Sequence, residues 1–289
     1  MNRSERWTPY AFLLPAVAGL LLFQIVPIVF GLGRSLFGVS FGSGSSELRF
    51  VGLENFRDLF TDPIFWNALR VTLLFNLIVN PLQVGLALGV AVLLNAKLRG
   101  IGVFRTLFYV PVGVSLTVTS IIWGLMLDPE AGMVNGILTG LGLPAQPFLQ
   151  STNQALGSVI LLVTWKGVAY WMLILLAGLQ GIPKSLYEAA SVDGATGGQT
   201  FRHITLPMMR RPLAYVLITD TVVNFLLFNP VYVLTKGGPQ GSTHLLMYEA
   251  FRSGFLSVDL GRAMAVTAVL FVFVAMLIAL QSRLLKDDR

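Results

Sequence analysis

Cysteine is missing from all 289 residues. Disulfides, thiolate catalysis and cysteine-based metal sites are therefore excluded, while the compartment is left almost open. Histidine is nearly as scarce: His203 and His244 stand apart, with no HExxH or paired-ligand spacing to hold a metal. No Ser/His/Asp set and no carboxylate dyad at helical spacing suggests catalysis. A GxxxxGK[ST] phosphate loop is also absent; Gly194 to Thr200 carries glycines but lacks the lysine and a preceding strand. Charge is thin, at 12% of residues against about 25% in ordinary soluble domains. No internal repeat occurs at a solenoid period.

Apolar sequence fills the space. Hydrophobic residues make up 55% of the chain and the mean hydropathy is +0.74. Runs long enough to cross a hydrocarbon core of about 30 Å lie at Tyr10 to Leu32, Ala68 to Leu94, Phe104 to Leu127, Ala155 to Leu179, Pro212 to Leu234 and Arg262 to Leu284. The pattern predicts an all-α integral membrane protein of six transmembrane helices in one membrane domain, residues 1–289, without a soluble domain. Ala16-Val17-Ala18 mimics a signal cleavage site, but the apolar stretch runs on unbroken, which suits an anchor better. Pro81 is expected to kink the second helix, and Leu53 to Phe60 to form a short surface helix after a Gly/Ser loop at Gly42 to Ser46.

With the N-terminus cytoplasmic, twelve Lys/Arg fall on the inner flanks and five on the outer. That bias puts both termini in the cytoplasm. It also accounts for the net charge of +6, which then gives no support for nucleic-acid binding.

Between the fourth and fifth runs lies a polar loop, 180–210. Pro183 and Ser185 supply helix start signals for Leu186 to Val192, with Glu188 near the N-terminal turn where a carboxylate suits the helix dipole. Ala189 and Ala190 keep one face flat. Asp193-Gly194 stops this helix where left-handed backbone is expected, and a second amphipathic piece with Phe201 and Ile204 runs into Leu206-Pro207. A helical elbow with a small-residue face is shaped to sit in another protein's groove. An amphipathic helix lying on the lipid surface is the plainer alternative, but the segment has no Lys/Arg-rich interfacial stripe.

In this loop Glu188, Ala189, Ala190, Gly194, Ile204, Leu206 and Pro207 fall at the spacing Glu-Ala-Ala, three residues, Gly, nine residues, Ile, one residue, Leu-Pro. The pattern resembles the permease subunits of bacterial ABC importers, in the branch that is similar to maltose and glycerol-phosphate permeases. Thr235-Lys-Gly-Gly-Pro239 with Ser242-Thr243 resembles an outer-loop signature of that branch, and Val51 to Phe56, Phe104-Arg105 with Pro111, and Gly132 to Leu138 also read as family-like. One departure is Gly197-Gly198, where many relatives carry a bulkier residue; each glycine costs about 1 kcal/mol in a helix interior, so a looser or shorter second limb is expected.

The resemblance implies a type I ABC importer permease-like fold in a bacterial inner membrane. It implies a coupling helix seated in a nucleotide-binding subunit, with the seven matched residues as the coupling site. It further implies a second homologous permease, two ATPase subunits that bind ATP and Mg, and an extracytoplasmic solute-binding protein. No cofactor is expected on this chain itself, nor any enzymatic activity. Alternating access would carry a carbohydrate or a derivative, including an anionic one. An ion-gradient-driven secondary transporter is the competing reading; inverted repeats and helices broken at the midplane would favour it.

Charges inside a spanning helix cost roughly 2.5–3.5 kcal/mol on insertion scales and by default mark function. Lys166, in the fourth run with Gly167 and Tyr170, and Asp220, in the fifth with Asn224 at i+4, are the candidates for a substrate path. Three roles for Lys166 compete: a salt bridge to Asp220, contact with an anionic solute, or snorkelling to the surface. Arg70 and Arg262, near helix ends, read as snorkelling anchors. Asn76, Asn80, Gln83, Thr117, Thr119 and Ser120 are either pore lining or interhelical glue.

Overall fold

The computed structural model describes residues 3–42, 45–96 and 100–284. In chain order α1 (Arg3–Leu20) passes through a π turn (Leu21–Ile25) into α2 (Val26–Arg34); a hairpin β1 (Phe37–Gly42) and β2 (Ser45–Phe50) follows, then α3 (Glu54–Thr61) and the long α4 (Pro63–Leu94). Next come α5 (Ile101–Tyr109), a 3-10 turn (Val110–Gly113), α6 (Leu116–Met126), α7 (Met133–Gly140) and α8 (Ala155–Gln180). The loop 180–210 holds α9 (Lys184–Val192), α10 (Gly197–Thr200), a π turn (Phe201–Thr205) and α11 (Leu206–Met208). The chain ends in α12 (Arg210–Phe225), α13 (Asn229–Leu234), α14 (Leu246–Phe251), a π turn (Arg252–Leu256) and α15 (Leu260–Leu284).

Five helical stretches among the described residues are long and apolar enough to cross a membrane, and a sixth forms if Ile101–Gly113 and Leu116–Met126, bent by 96°, count as one. The six runs expected from hydropathy are therefore all helical, but the third is broken rather than straight. Pro81 lies inside α4, which continues past it to Leu94. The surface helix expected at Leu53 to Phe60 is α3. Of the stretch expected as a Gly/Ser loop, Gly42 ends β1 and Ser45 and Ser46 open β2, antiparallel strands that pair Phe37 with Phe50, while residues 43 and 44 lie outside the described residues.

The described parts of Met1–Phe65 and Glu249–Val272 form one compact unit, and Trp66–Tyr248 with Phe273–Arg289 the other. In the first, Phe37 and Phe50 meet edge to face at 5.4 Å, and Asn55 Nδ2 donates to the carbonyls of Ser35 (2.7 Å) and Phe37 (3.1 Å), fixing the hairpin to α3. Arg262 corrects the snorkelling expectation. Its guanidinium donates to Glu249 Oε1 at 2.8 Å and to Asp62 Oδ2, while Arg252 Nε reaches Glu249 Oε2 at 3.0 Å. Glu249 is wholly buried, so these arginines compensate a charge that would otherwise be strongly destabilising. Asp62 Oδ1 also accepts the Ile64 N–H at 2.8 Å, capping the start of α4.

In the second unit α4 and α8 contribute to two apolar clusters, joined in one by Val231 of α13 and in the other by Val216 of α12. One gathers Phe75, Val79, Leu162, Val231 and Leu245; the other gathers Ala91, Met172, Leu175, Met209 and Val216. Small residues allow the close approaches: a Cβ on Gly178 would stand 2.9 Å from Pro212 Cγ. Between the clusters runs a polar seam, which positions the cavity described below.

A candidate solute cavity and a coupling elbow

The third apolar run bends because Pro111 removes an amide donor and residues 110–113 tighten into a 3-10 turn. Ser115 then restarts the helix, its Oγ accepting the Val118 N–H at 3.2 Å. A break inside a membrane frees carbonyl oxygens that need partners. Lys166 of α8 provides them: its Nζ donates to the Pro111 carbonyl at 2.8 Å and to the Val114 carbonyl. Of the three roles weighed for Lys166, none is this one. No ion pair joins it to Asp220, and its ammonium, on a partly exposed side chain, is held by these backbone carbonyls.

Asp220 is 1% exposed. Its Oδ1 accepts from Trp171 Nε1 at 2.6 Å and from Asn224 Nδ2 at 3.0 Å. Its Oδ2 is buried with no hydrogen-bond partner. Asn224 Nδ2 is also within reach of Asn80 Oδ1 (2.8 Å) and Gln83 Oε1 (3.0 Å), and Gln83 Nε2 donates to the Val163 carbonyl at 2.7 Å. Gly167 makes the last bond possible, since a Cβ there would lie 2.6 Å from Gln83 Cδ. Asn80 and Gln83 are thus interhelical glue, and Gln83 lines the cavity as well.

This seam forms one wall of a cavity of about 320 Å³ lined also by Lys166, Gly167, Tyr170, Asp220 and Asn224. All five residues singled out for a substrate path line that one space. Trp171 is nearly buried and orients the Asp220 carboxylate; nothing in its sequence spacing signals that bond. Tyr170, half exposed, packs edge to face on Trp171 at 4.7 Å.

The elbow is built as its residues dictate. α9 ends with Gly194 at φ +73°; the Ala195 N–H bonds the Ala190 carbonyl at 2.9 Å and the Gly194 N–H bonds the Ser191 carbonyl at 3.2 Å. This is the paired 6→1 and 5→2 closure that left-handed glycine permits. Thr196 and Gln199 then form a capping box for α10, so Gly197-Gly198 is held in helix, and the looseness expected there appears as a π turn over Phe201–Thr205. Tyr187 Oη meets Thr205 Oγ1 at 3.1 Å, tying the limbs together. Glu188, Ala189, Gly194, Leu206 and Pro207 are exposed, Ile204 is half-buried, and Ala190 is buried, so the two alanines do not share one flat face. Val192, passed over in the sequence, is 89% exposed at the tip.

The Thr235 to Thr243 loop is a tight turn in which Thr235 Oγ1 and Thr243 Oγ1 meet at 2.7 Å and Thr243 Oγ1 donates to the Gly238 carbonyl at 2.8 Å. Among the described residues no group of three or more His, Asp or Glu is arranged to hold a metal ion.

Residues 83–287, which include the cavity and the elbow, match the family described as the binding-protein-dependent transport system inner membrane component. The chain belongs to this family. As an inner membrane component it is similar to the sn-glycerol-3-phosphate transport system permease protein of Agrobacterium fabrum, 35% identical over 277 residues, 95% of this chain and 93% of that one. It is also similar to a probable ABC transporter permease protein of Bacillus subtilis, 35% identical over 294 residues and covering 100% and 99%. In fold, the permease matches a chain of a bacterial ABC transporter involved in the import of the acidic polysaccharide alginate: TM-score 0.82, 24% identity, 98% of this chain and 96% of that one. The type I importer permease architecture expected from the elbow is thereby established, and the chain is a membrane-embedded transport component.

Proposed function

We propose that this permease forms half of the translocation path of an ATP-driven importer for a carbohydrate or polyol, and that the 180–210 elbow couples it to a separate ATPase. The observation that carries the coupling is the elbow's construction: a Gly194-closed helix that leaves Glu188, Ala189 and Val192 exposed beside a polar turn. Ala189 and Gly194 permit close approach of a partner surface, Glu188 offers it a carboxylate, Leu206 and Pro207 add exposed apolar surface, and Ala190 and Ile204 lie further in, where Tyr187 and Thr205 tie the limbs. The Lys/Arg bias supports a cytoplasmic elbow and cytoplasmic termini. ATP and Mg belong to the nucleotide-binding partner, of which two copies would serve this chain and a second homologous permease. The carbohydrate assignment is supported by relatives named for sn-glycerol-3-phosphate transport and alginate import, and by a cavity whose side chains suit hydroxyl groups.

Purifying the chain with its neighbouring subunits tests this directly. An ATPase subunit co-elutes with the native chain, and Ala189→Arg, placing bulk and charge on the exposed face, removes it while leaving the permease folded. Retention of the ATPase by Ala189→Arg, with ATP-driven uptake unchanged, contradicts the assignment of the elbow.

A further inference from the structure

Tyr187 of α9 stands between two cavities at the inner ends of the bundle. The elbow leaves α8 through Gly181-Ile182-Pro183 and enters α12 past Met209. Ile182 and Met209 are both buried in the apolar cluster built with Leu175, Leu179 and Val216, and the Tyr187 ring packs on that same cluster. Around the ring the packing is open. A cavity of about 330 Å³ lies toward the C-terminal end of α9, lined by Tyr187, Ser191 and Ala195 with Val92 and Leu179. Another of about 470 Å³ lies toward its N-terminal end, lined by Tyr187, Lys184 and Glu188 with Asn95 and Leu179.

Close-packed side chains transmit a displacement, whereas a void absorbs it, because atoms facing a gap have no contact to push against. Tyr187 is therefore placed to carry a push on the exposed face of α9 into the bundle. Its Oη meets Thr205 Oγ1 at 3.1 Å, and Thr205 is nearly buried in the π turn of the second limb. The Thr205 carbonyl accepts the Met209 N–H at 2.9 Å, and Met209 Cε lies 3.2 Å from where a Cβ on Gly178 of α8 would stand. The ring thus bears on a cluster that α8 helps to build, and the hydroxyl leads to the start of α12. These two helices carry Lys166 and Asp220. We infer that Tyr187 is the positioning residue that passes the elbow's movement to α8 and α12, its ring by packing and its hydroxyl by the bond to Thr205. This rests on the proposed coupling role of the elbow and deepens it.

The test uses the importer assembled with its ATPase subunits in lipid nanodiscs. The chain has no cysteine of its own, so a nitroxide is attached at Val223→Cys, an exposed position of α12 beside the solute cavity. Its electron paramagnetic resonance spectrum is recorded without nucleotide and with ATP, Mg and vanadate. With Tyr187 in place, nucleotide shifts the label to a second spectral component. Tyr187→Phe keeps the ring, and the ratio of shifted to unshifted label falls roughly two- to tenfold, the scale of one lost hydrogen bond, while the ATPase still co-elutes. Thr205→Val does the same, and the double variant loses no more than either single one, as residues acting through one bond do. A residue that only filled space would lower the unfolding midpoint without dividing the response in this way. A native-sized response in Tyr187→Phe, losses that add in the double variant, or a label that ignores nucleotide with Tyr187 in place overturns the inference. Should Tyr187→Phe fail to assemble, the response of Thr205→Val decides by the same criterion. Ala189→Arg separates the two readings: ATPase lost from it while Tyr187→Phe responds fully removes only this inference, whereas ATPase retained with a full response in Ala189→Arg removes the elbow assignment as well.

Discussion

Asn224 shows how much one side chain carries. Its amide nitrogen lies 2.8, 3.0 and 3.0 Å from acceptors on Asn80, Gln83 and Asp220, so Asn224→Ala removes two N–H donors that these three buried acceptors share. A loss of about 1–3 kcal/mol for each fully orphaned group predicts a clear fall in the thermal unfolding midpoint of the detergent-solubilised permease; an unchanged midpoint contradicts the seam's structural role. Gly167→Ala fails for a different reason, because its Cβ enters the space of the Gln83 amide, and overpacking of this kind costs about 1–3 kcal/mol. If the clash is the cause, Gly167→Ala costs less in a Gln83→Ala chain than in the native one. Asp220 and Asn224 were legible in the sequence as a polar i, i+4 pair within an apolar run. Their partners were not: Gln83 is 141 positions from Asn224, and only the packing of α4 on α12 brings them together. Likewise, Lys166 could not be assigned from spacing, because its acceptors exist only once the third run has broken.

At the scale of elements, the elbow was readable almost throughout, since caps, left-handed glycine and Leu-Pro are local signals. Gly194 sits at φ +73°, where a β-branched residue is strained by roughly 1–2 kcal/mol. Gly194→Val is therefore expected to open the Ala195–Ala190 closure and to lower ATPase stimulation by solute-loaded binding protein, with Gly194→Asn retaining more of it. Equal stimulation in both variants would sink the claim that this closure shapes the coupling surface. The broken third run was not readable. Hydropathy registers an apolar stretch but not its direction, and the 96° turn depends on Pro111, Ser115 and a lysine from another helix. Lys166→Met should loosen that turn, seen as faster amide exchange across residues 110–118; exchange as slow as in the native chain would show that the lysine is not what holds the break.

For the whole molecule, composition alone identified a membrane protein, and six runs of the right length were enough to reach a bundle. The hairpin and the Arg262 network lay beyond it. Phe37, Val39 and Phe41 alternate with Gly and Ser, and Leu48 and Phe50 with Glu47 and Arg49, but such short runs beside a Gly/Ser stretch read as loop, and the Arg262 network joins residues 200 positions apart. Six apolar runs, no phosphate loop in the sequence and an exposed helical elbow are what support the proposal that the permease is a path moved by another subunit. Reconstituted vesicles measure this directly, by comparing solute accumulation in the complete importer with and without ATP, and with the ATPase subunit omitted. Accumulation against a gradient only when both ATP and the ATPase subunit are present is the predicted result; vesicles that concentrate solute from this chain alone, without nucleotide, would contradict it.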